Sequence, residues 1–128
     1  MTAAYVAAVT TSYPSITAVW LIGSRANDSV RTSSDWDYLA FADKATLEAL
    51  MSDLAFNVST VDLMIVFDGN NFRKPWAEDD RVKGGSLTDW QWTPVTESVA
   101  HYRATRAIDG EHFNVEVQIA RALRIYPR

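Results

Sequence analysis

The sequence predicts an α/β or α+β fold, in which a mixed sheet of about five strands has helices packed mainly on one side. Short apolar runs alternate with segments of helical periodicity in the first half of the chain. A strictly alternating segment follows an Asp-Gly turn pair in the second half. The length of 128 residues fits a single domain, with a core over 1–68 and an extension over 70–128.

The first half of the chain predicts two helices and three buried strands. The helices cover 2–12, which ends before Pro14, and 43–53, which Asp43 caps at its N-terminus. Apolar residues at i, i+3, i+4 and i+7 predict a core-facing stripe on the second helix. They are Leu47, Leu50, Met51 and Leu54. The strands are the short, branched apolar runs 16–22, 36–41 and 61–67.

The second half predicts a long loop followed by a hairpin. Residues 70–86 are polar, charged and glycine-bearing, which indicates a loop or flap, and 87–92 predicts a short strand. Asp109-Gly110 is a two-residue turn pair between the arms 99–108 and 111–119. A short helix is predicted over 120–126. Alternation in the second arm predicts a core-facing row of apolar side chains. This row consists of Phe113, Val115, Val117 and Ile119.

The composition favours a globular protein of the cytoplasm. Hydrophobic residues make up 48%, and the absence of cysteine excludes disulfides and thiolate zinc sites. The first residues lack a signal-peptide pattern, and no apolar run is long enough to span a membrane. The net charge of −4 argues against non-specific binding of nucleic acid. An acidic first half and an arginine-rich end suit a site for a cation and phosphates.

The most informative segment is Gly23-Ser24, followed ten residues later by the pair Asp35-x-Asp37. A strand that ends in Gly-Ser presents backbone N–H groups that can bind phosphate oxygens. Residues i and i+2 of a strand point the same way, so Asp35 and Asp37 can converge on a cation. Asp62, near the start of a later strand, can add a third carboxylate. Such oxygen ligands suit Mg²⁺ or Mn²⁺.

Each of these residues also has a purely structural interpretation. Gly23 can simply end a strand, Asp35 can cap a turn, and Asp62 can be a solvated edge residue. For any one acid taken singly, the structural interpretation is favoured. For the set in its order and strand context, function is favoured, since the separate structural interpretations would all have to hold at once.

The stretch GSRANDSVRTSSDWDYLAF resembles the signature of the DNA polymerase β-type nucleotidyltransferase superfamily, in its minimal nucleotidyltransferase branch. That signature joins a Gly-Gly or Gly-Ser pair to Asp-x-Asp, with a third acid on a later strand. The likeness covers about residues 1–68 and implies a polymerase β-like nucleotidyltransferase fold. It implies that Gly23, Ser24 and Arg25 bind the triphosphate. It further implies that Asp35, Asp37 and Asp62 ligate Mg²⁺ or Mn²⁺, with Asp62 also helping to activate the nucleophile.

The resemblance implies transfer of a nucleoside monophosphate from a nucleoside triphosphate, ATP first, to a hydroxyl of a protein or small molecule. Minimal nucleotidyltransferases often pair with a HEPN-type protein in toxin–antitoxin systems. An antitoxin-like binding module for such a partner is therefore the alternative.

A second likeness lies on the hairpin. Residues 115–119 read VEVQI and are similar to a strand of (p)ppGpp synthetases, which belong to the same wide superfamily. This likeness implies that Glu116 is a candidate catalytic residue, and it leaves a (p)ppGpp-synthetase-like enzyme as a third interpretation. Arg103 or Arg106, on the neighbouring arm, can face the phosphates.

Overall fold

The computed structural model describes residues 2–27, 35–77, 84–108 and 111–127. Within these ranges the helices are α1 (Thr2–Ser12) and α2 (Lys44–Met51), and 3₁₀ turns lie at Ser24–Ala26 and Leu54–Phe56. The strands are β1 (Ala18–Ile22), β2 (Trp36–Phe41), β3 (Val61–Val66), β4 (Asn71–Arg73), β5 (Gly84–Ser86), β6 (Thr93–Pro94), β7 (Val99–Ile108) and β8 (Glu111–Tyr126). No helix in the described part is long and apolar enough to span a bilayer.

The eight strands of the described residues pair into one mixed sheet in the order β5-β4-β3-β2-β1-β8-β7-β6. Strands β2 and β3 are parallel and are joined by α2, whereas the other neighbours are antiparallel. The sheet curls into a half-barrel, and the protein is mostly β. The prediction of an α/β or α+β fold with about five strands and helices packed on one side is therefore wrong.

Two segments account for the difference. Residues 120–126 continue β8 instead of forming a helix, because Leu123 pairs with Leu21 of β1 and Ala122 is buried. Residues 71–73, 84–86 and 93–94 add β4, β5 and β6 to the sheet, while 87–91 form a turn where a strand was predicted. Pairing with distant strands decides both segments, and the local pattern of a sequence does not report such pairing.

The first half of the chain follows the prediction more closely. Helix α1 spans the predicted residues, and the three apolar runs form β1, β2 and β3. Asp43 caps α2, since its Oδ1 accepts a hydrogen bond from the Thr46 N–H at 2.8 Å. The predicted apolar stripe is only half buried: Leu47 and Leu50 lie in the core, whereas Met51 at the end of α2 and Leu54 beyond it are exposed.

Apolar side chains cover both faces of the central strands. The helix face carries α1 and α2, whose buried residues pack on alternate residues of β1, β2 and β3. The members on these strands are Val19, Leu21, Tyr38, Ala40, Leu63 and Ile65. The opposite, concave face is filled by a second core inside the curl of the sheet. Its aromatic members and close neighbours are Trp20, Phe41, Phe72, Trp90, Trp92 and Tyr102.

The far part of the β7–β8 ribbon extends past the end of β1, because β8 pairs with β1 only from Leu123 onward. No described element covers it there, so Val117 and Ile119 are 56% and 66% exposed. The prediction that these two side chains face the core is wrong. The side chains of Phe113 and Val115, and the Asp109-Gly110 turn, lie outside the described part of the protein.

Candidate functional site

Two of the predicted site residues, Asp37 and Asp62, are direct neighbours. Parallel pairing of β2 with β3 sets Asp37 opposite Asp62, and adjacent strands lie about 4.8 Å apart. Two residues further along each strand, Leu39 and Met64 belong to the core of the concave face. Both carboxylates therefore lie on the concave face, away from the helices. Asp35 precedes β2 and is exposed.

The Asp37 carboxyl lies in an environment that disfavours its negative charge. Burial, followed by the negative charges of Asp62 and Asp35, raises its pKa to about 6, and Lys74 acts in the opposite direction. Asp37 is therefore partly protonated near pH 6 in the metal-free protein. A bound cation would offset the charge repulsion that produces this shift.

Gly23 brings the end of β1 against the Asp37 carboxylate. Ile22 pairs with Asp37, and Gly23 then turns with φ of 73°, a conformation that favours glycine. A Cβ at Gly23 would overlap the Asp37 carboxylate. The sequence predicts a free N–H at Gly23, but this group donates a hydrogen bond to the Tyr102 hydroxyl at 2.9 Å. A phosphate can reach the Gly23 N–H only by displacing Tyr102.

Ser24 and Arg25 follow in the 3₁₀ turn and are both partly buried. The Arg25 guanidinium lies 4.0 Å from the centre of the Trp36 ring, a cation–π contact. Trp36 packs against the core of the helix face, on the other side of β2 from Asp37. In this structure Arg25 is therefore engaged on the side opposite the aspartate pair.

Three further residues complete the site, and the sequence patterns did not identify them. Asn27 joins the turn to β8, because its Nδ2 donates to the Gly23 carbonyl at 2.7 Å and its Oδ1 accepts from the Arg121 N–H at 2.8 Å. Tyr102 supplies the hydroxyl described above. Lys74 places its Nζ 3.0 Å from Asp62 Oδ2. Apart from the contact between Asn27 and Gly23, these contacts join residues 12 to 94 positions apart, so no local motif could have found them.

The donor set fits a hard divalent cation, although its geometry is not that of a filled site. Among the described residues, no group of three His, Asp or Glu side chains is arranged to hold a metal ion. Asp37 and Asp62 supply oxygen donors from adjacent strands, and a cationic group, the Lys74 ammonium, already lies against Asp62. Asp37 and Asp62 would hold the ion, and Asp35 would have to turn towards them to join.

The hairpin residues are further from this pair. Leu123 of β8 pairs with Leu21, so Ala122 is level with Ile22, which pairs with Asp37. Glu116 precedes Ala122 by six residues and therefore lies about 20 Å further along β8. The Glu116 backbone pairs with that of Arg106, and the side chains of both lie outside the described part. Arg103 is exposed on the face opposite its neighbour Tyr102. A catalytic role for Glu116 stays a prediction.

A cavity of about 540 Å³ lies on the helix face, between α1 and strands β1, β2 and β8. Leu21, Trp36 and Tyr38 line its sheet side. The cavity is separated from Asp37 and Asp62 by β2 itself, so it is not the space in which these carboxylates act. The chemistry of the carboxylates and the position of the concave face, not cavity size, define the candidate site.

Comparisons of the chain with protein-family models, with curated proteins and with solved structures find no match. The function is therefore inferred from the site's own residues.

Proposed function

We propose that the protein is a Mg²⁺-dependent nucleotidyltransferase of the cytoplasm. It moves a nucleoside monophosphate from a nucleoside triphosphate, ATP first, to a hydroxyl of a protein or small molecule. The observation that carries this proposal is the direct pairing of Asp37 with Asp62, beside a glycine turn that leaves no room for a side chain. The parallel β2–β3 unit supports it further, since it brings two carboxylates from separate motifs onto one face.

The reaction would use the end of the sheet where β1 ends and β2 and β3 begin. A bound divalent cation would neutralise the triphosphate and lower the pKa of the attacking hydroxyl. Asp37 and Asp62 would hold that cation, and Asp62, whose side chain is 35% exposed, would accept the proton of the attacking hydroxyl. The hydroxyl oxygen bonds to the α-phosphorus, and pyrophosphate leaves with the electrons of the broken bond.

The test is transfer of label from ATP that carries ³²P at the α position, in the presence of Mg²⁺ and cell extract. We expect label on a specific protein or small molecule that depends on addition of this protein, and no such dependent label from ATP labelled at the γ position, since pyrophosphate leaves. Asp37→Asn and Asp62→Asn should each lower transfer by about 10²-fold or more. Asp43→Asn is the matched control, because Asp43 lies past the opposite end of β2 and Asn also caps helices well.

Transfer that persists in both site variants, or γ label that depends on addition of this protein, would contradict the proposal. Parallel reactions with the four common nucleoside triphosphates would report the base preference.

The second candidate is a binding module for a HEPN-type protein. One observation favours it: Val117 and Ile119 expose apolar surface on the part of β8 that extends past β1. Failure of all labelling, together with a stoichiometric partner whose binding is lost in Val117→Ser with Ile119→Ser, would support this candidate over catalysis.

A further inference from the structure

The residues on both sides of Lys74 in the sequence are anchored to neighbouring elements, which places Lys74 beside the aspartate pair. On one side Arg73 ends β4 and pairs with Ile65 of β3. On the other side the Trp76 Nε1–H donates to the Leu50 carbonyl of α2 at 2.6 Å. These anchors fix the Lys74 backbone while its side chain reaches Asp62 at 3.0 Å. Lys74 is therefore positioned by the fold, unlike a lysine on a free surface loop.

The Lys74 ammonium donates a hydrogen bond to Asp62 Oδ2, one of the oxygens that a metal ion would need. Like charges repel, so a divalent cation on Asp37 and Asp62 weakens the contact between Lys74 and Asp62. The side chains of Lys74 and Asp62 are 36% and 35% exposed, so the lysine can leave without disturbing the core. Its long stem then lets the charge move within the site while the backbone stays fixed.

We propose that Lys74 is a displaceable cation, which neutralises the aspartate pair in the metal-free protein and binds phosphate oxygens once metal and nucleotide are bound. This inference rests on the proposed function and adds a substrate-binding residue to it. A static ion pair, the simpler role, would stabilise the fold by at most about 1 kcal/mol and would not respond to ligands.

The two proposed roles of Lys74 predict opposite changes in metal affinity and in nucleotide affinity, so binding measurements alone can test them. Lys74→Gln removes a competitor for Asp62, so Mn²⁺ alone should bind about three- to tenfold more tightly than to the parent. The same change removes a charged donor to phosphate, so α,β-methylene-ATP in saturating Mn²⁺ should bind about tenfold more weakly. Lys74→Arg, which keeps the charge, should leave Mn²⁺ affinity within about twofold of the parent.

The measurements are isothermal titration of the full chain and electron paramagnetic resonance of free Mn²⁺. Lys44→Gln is the matched control, because it removes the same charge from α2, past the opposite end of β2. Among the ion pairs of the described residues, Lys44 contacts only Glu48. It should leave both affinities unchanged.

Parent binding of metal and nucleotide, with both affinities unmoved or both lowered in Lys74→Gln, would overturn the role of Lys74 and leave the proposed function standing. Absence of metal and nucleotide binding in the parent would overturn both.

Discussion

Replacing Asp37 by Asn should stabilise the metal-free protein. The carboxyl has a pKa raised from 3.8 to about 6, chiefly by burial and then by the charges of Asp62 and Asp35. The full pKa shift corresponds to a free energy of about 3 kcal/mol, since each pKa unit is worth about 1.4 kcal/mol. Solvent screening of this half-buried group reduces the effect to about 1–2 kcal/mol. Asn keeps the shape of the side chain beside Gly23 and removes the charge.

The sign follows from proton linkage. The folded protein holds the Asp37 proton more tightly than the unfolded chain, so this group adds stability below pH 4 and the stability is lost as the pH rises to about 6. In EDTA at pH 7.5, Asp37→Asn should therefore raise the Tm by ~4–10 °C. At pH 3.5 the gain should vanish, because both states of the parent are then largely protonated at this position.

The assay is thermal unfolding followed by circular dichroism at pH 3.5, 5 and 7.5. Asp43→Asn serves as the control, because hydrogen bonds from the Thr46 side chain and then from its N–H hold the pKa of Asp43 below its usual range, so the charge is favourable there. The control should give no increase in Tm. A lower Tm for Asp37→Asn at pH 7.5 in EDTA would show the opposite, that the charge of Asp37 stabilises the fold.

Three further predictions concern the residues around the pair and on the hairpin. Gly23→Ala should destabilise the protein by about 1–3 kcal/mol in urea unfolding, because φ of 73° is strained for alanine and its Cβ would overlap the Asp37 carboxylate. Tyr102→Phe should cost about 1–2 kcal/mol by the same assay, since the Gly23 N–H loses its acceptor, and an unchanged midpoint would count against that contact. Val117→Ser with Ile119→Ser should change stability by less than about 0.5 kcal/mol per site, because both side chains are exposed; a larger loss would show that this face packs on the fold.

The central part of the site follows from local sequence. The short apolar runs and the capped helix between them predict β2, α2 and β3, but the sequence leaves open whether the strand of Asp62 is a parallel or an antiparallel neighbour. The structure pairs β2 and β3 in parallel, joined by α2. Parallel pairing then brings Asp37 beside Asp62. The sequence also predicts the turn at Gly23, because a glycine after a buried apolar run indicates the end of a strand.

The rest of the fold depends on contacts that no local pattern contains. The segment 120–126 has residues that suit a helix, but pairing of Leu123 with Leu21 extends β8 instead. The alternation at Val117 and Ile119 predicts a buried face, yet the ribbon extends beyond the strand that would cover it. Lys74 lies in a segment whose composition indicates a loop, and the pairing of β4 together with the hydrogen bond from Trp76 to Leu50 positions it. Tertiary pairing overrides propensity in each case.

The most direct test of the central claim is a crystal structure with Mn²⁺ and α,β-methylene-ATP, with anomalous data collected at the manganese edge. We expect an anomalous peak within about 2.2 Å of carboxylate oxygens of both Asp37 and Asp62, with triphosphate oxygens on the same ion. Lys74 should have left Asp62 for a phosphate oxygen. Manganese and nucleotide bound elsewhere, with the Lys74–Asp62 pair intact and no ion on Asp37, would contradict the assignment of the metal site to Asp37 and Asp62.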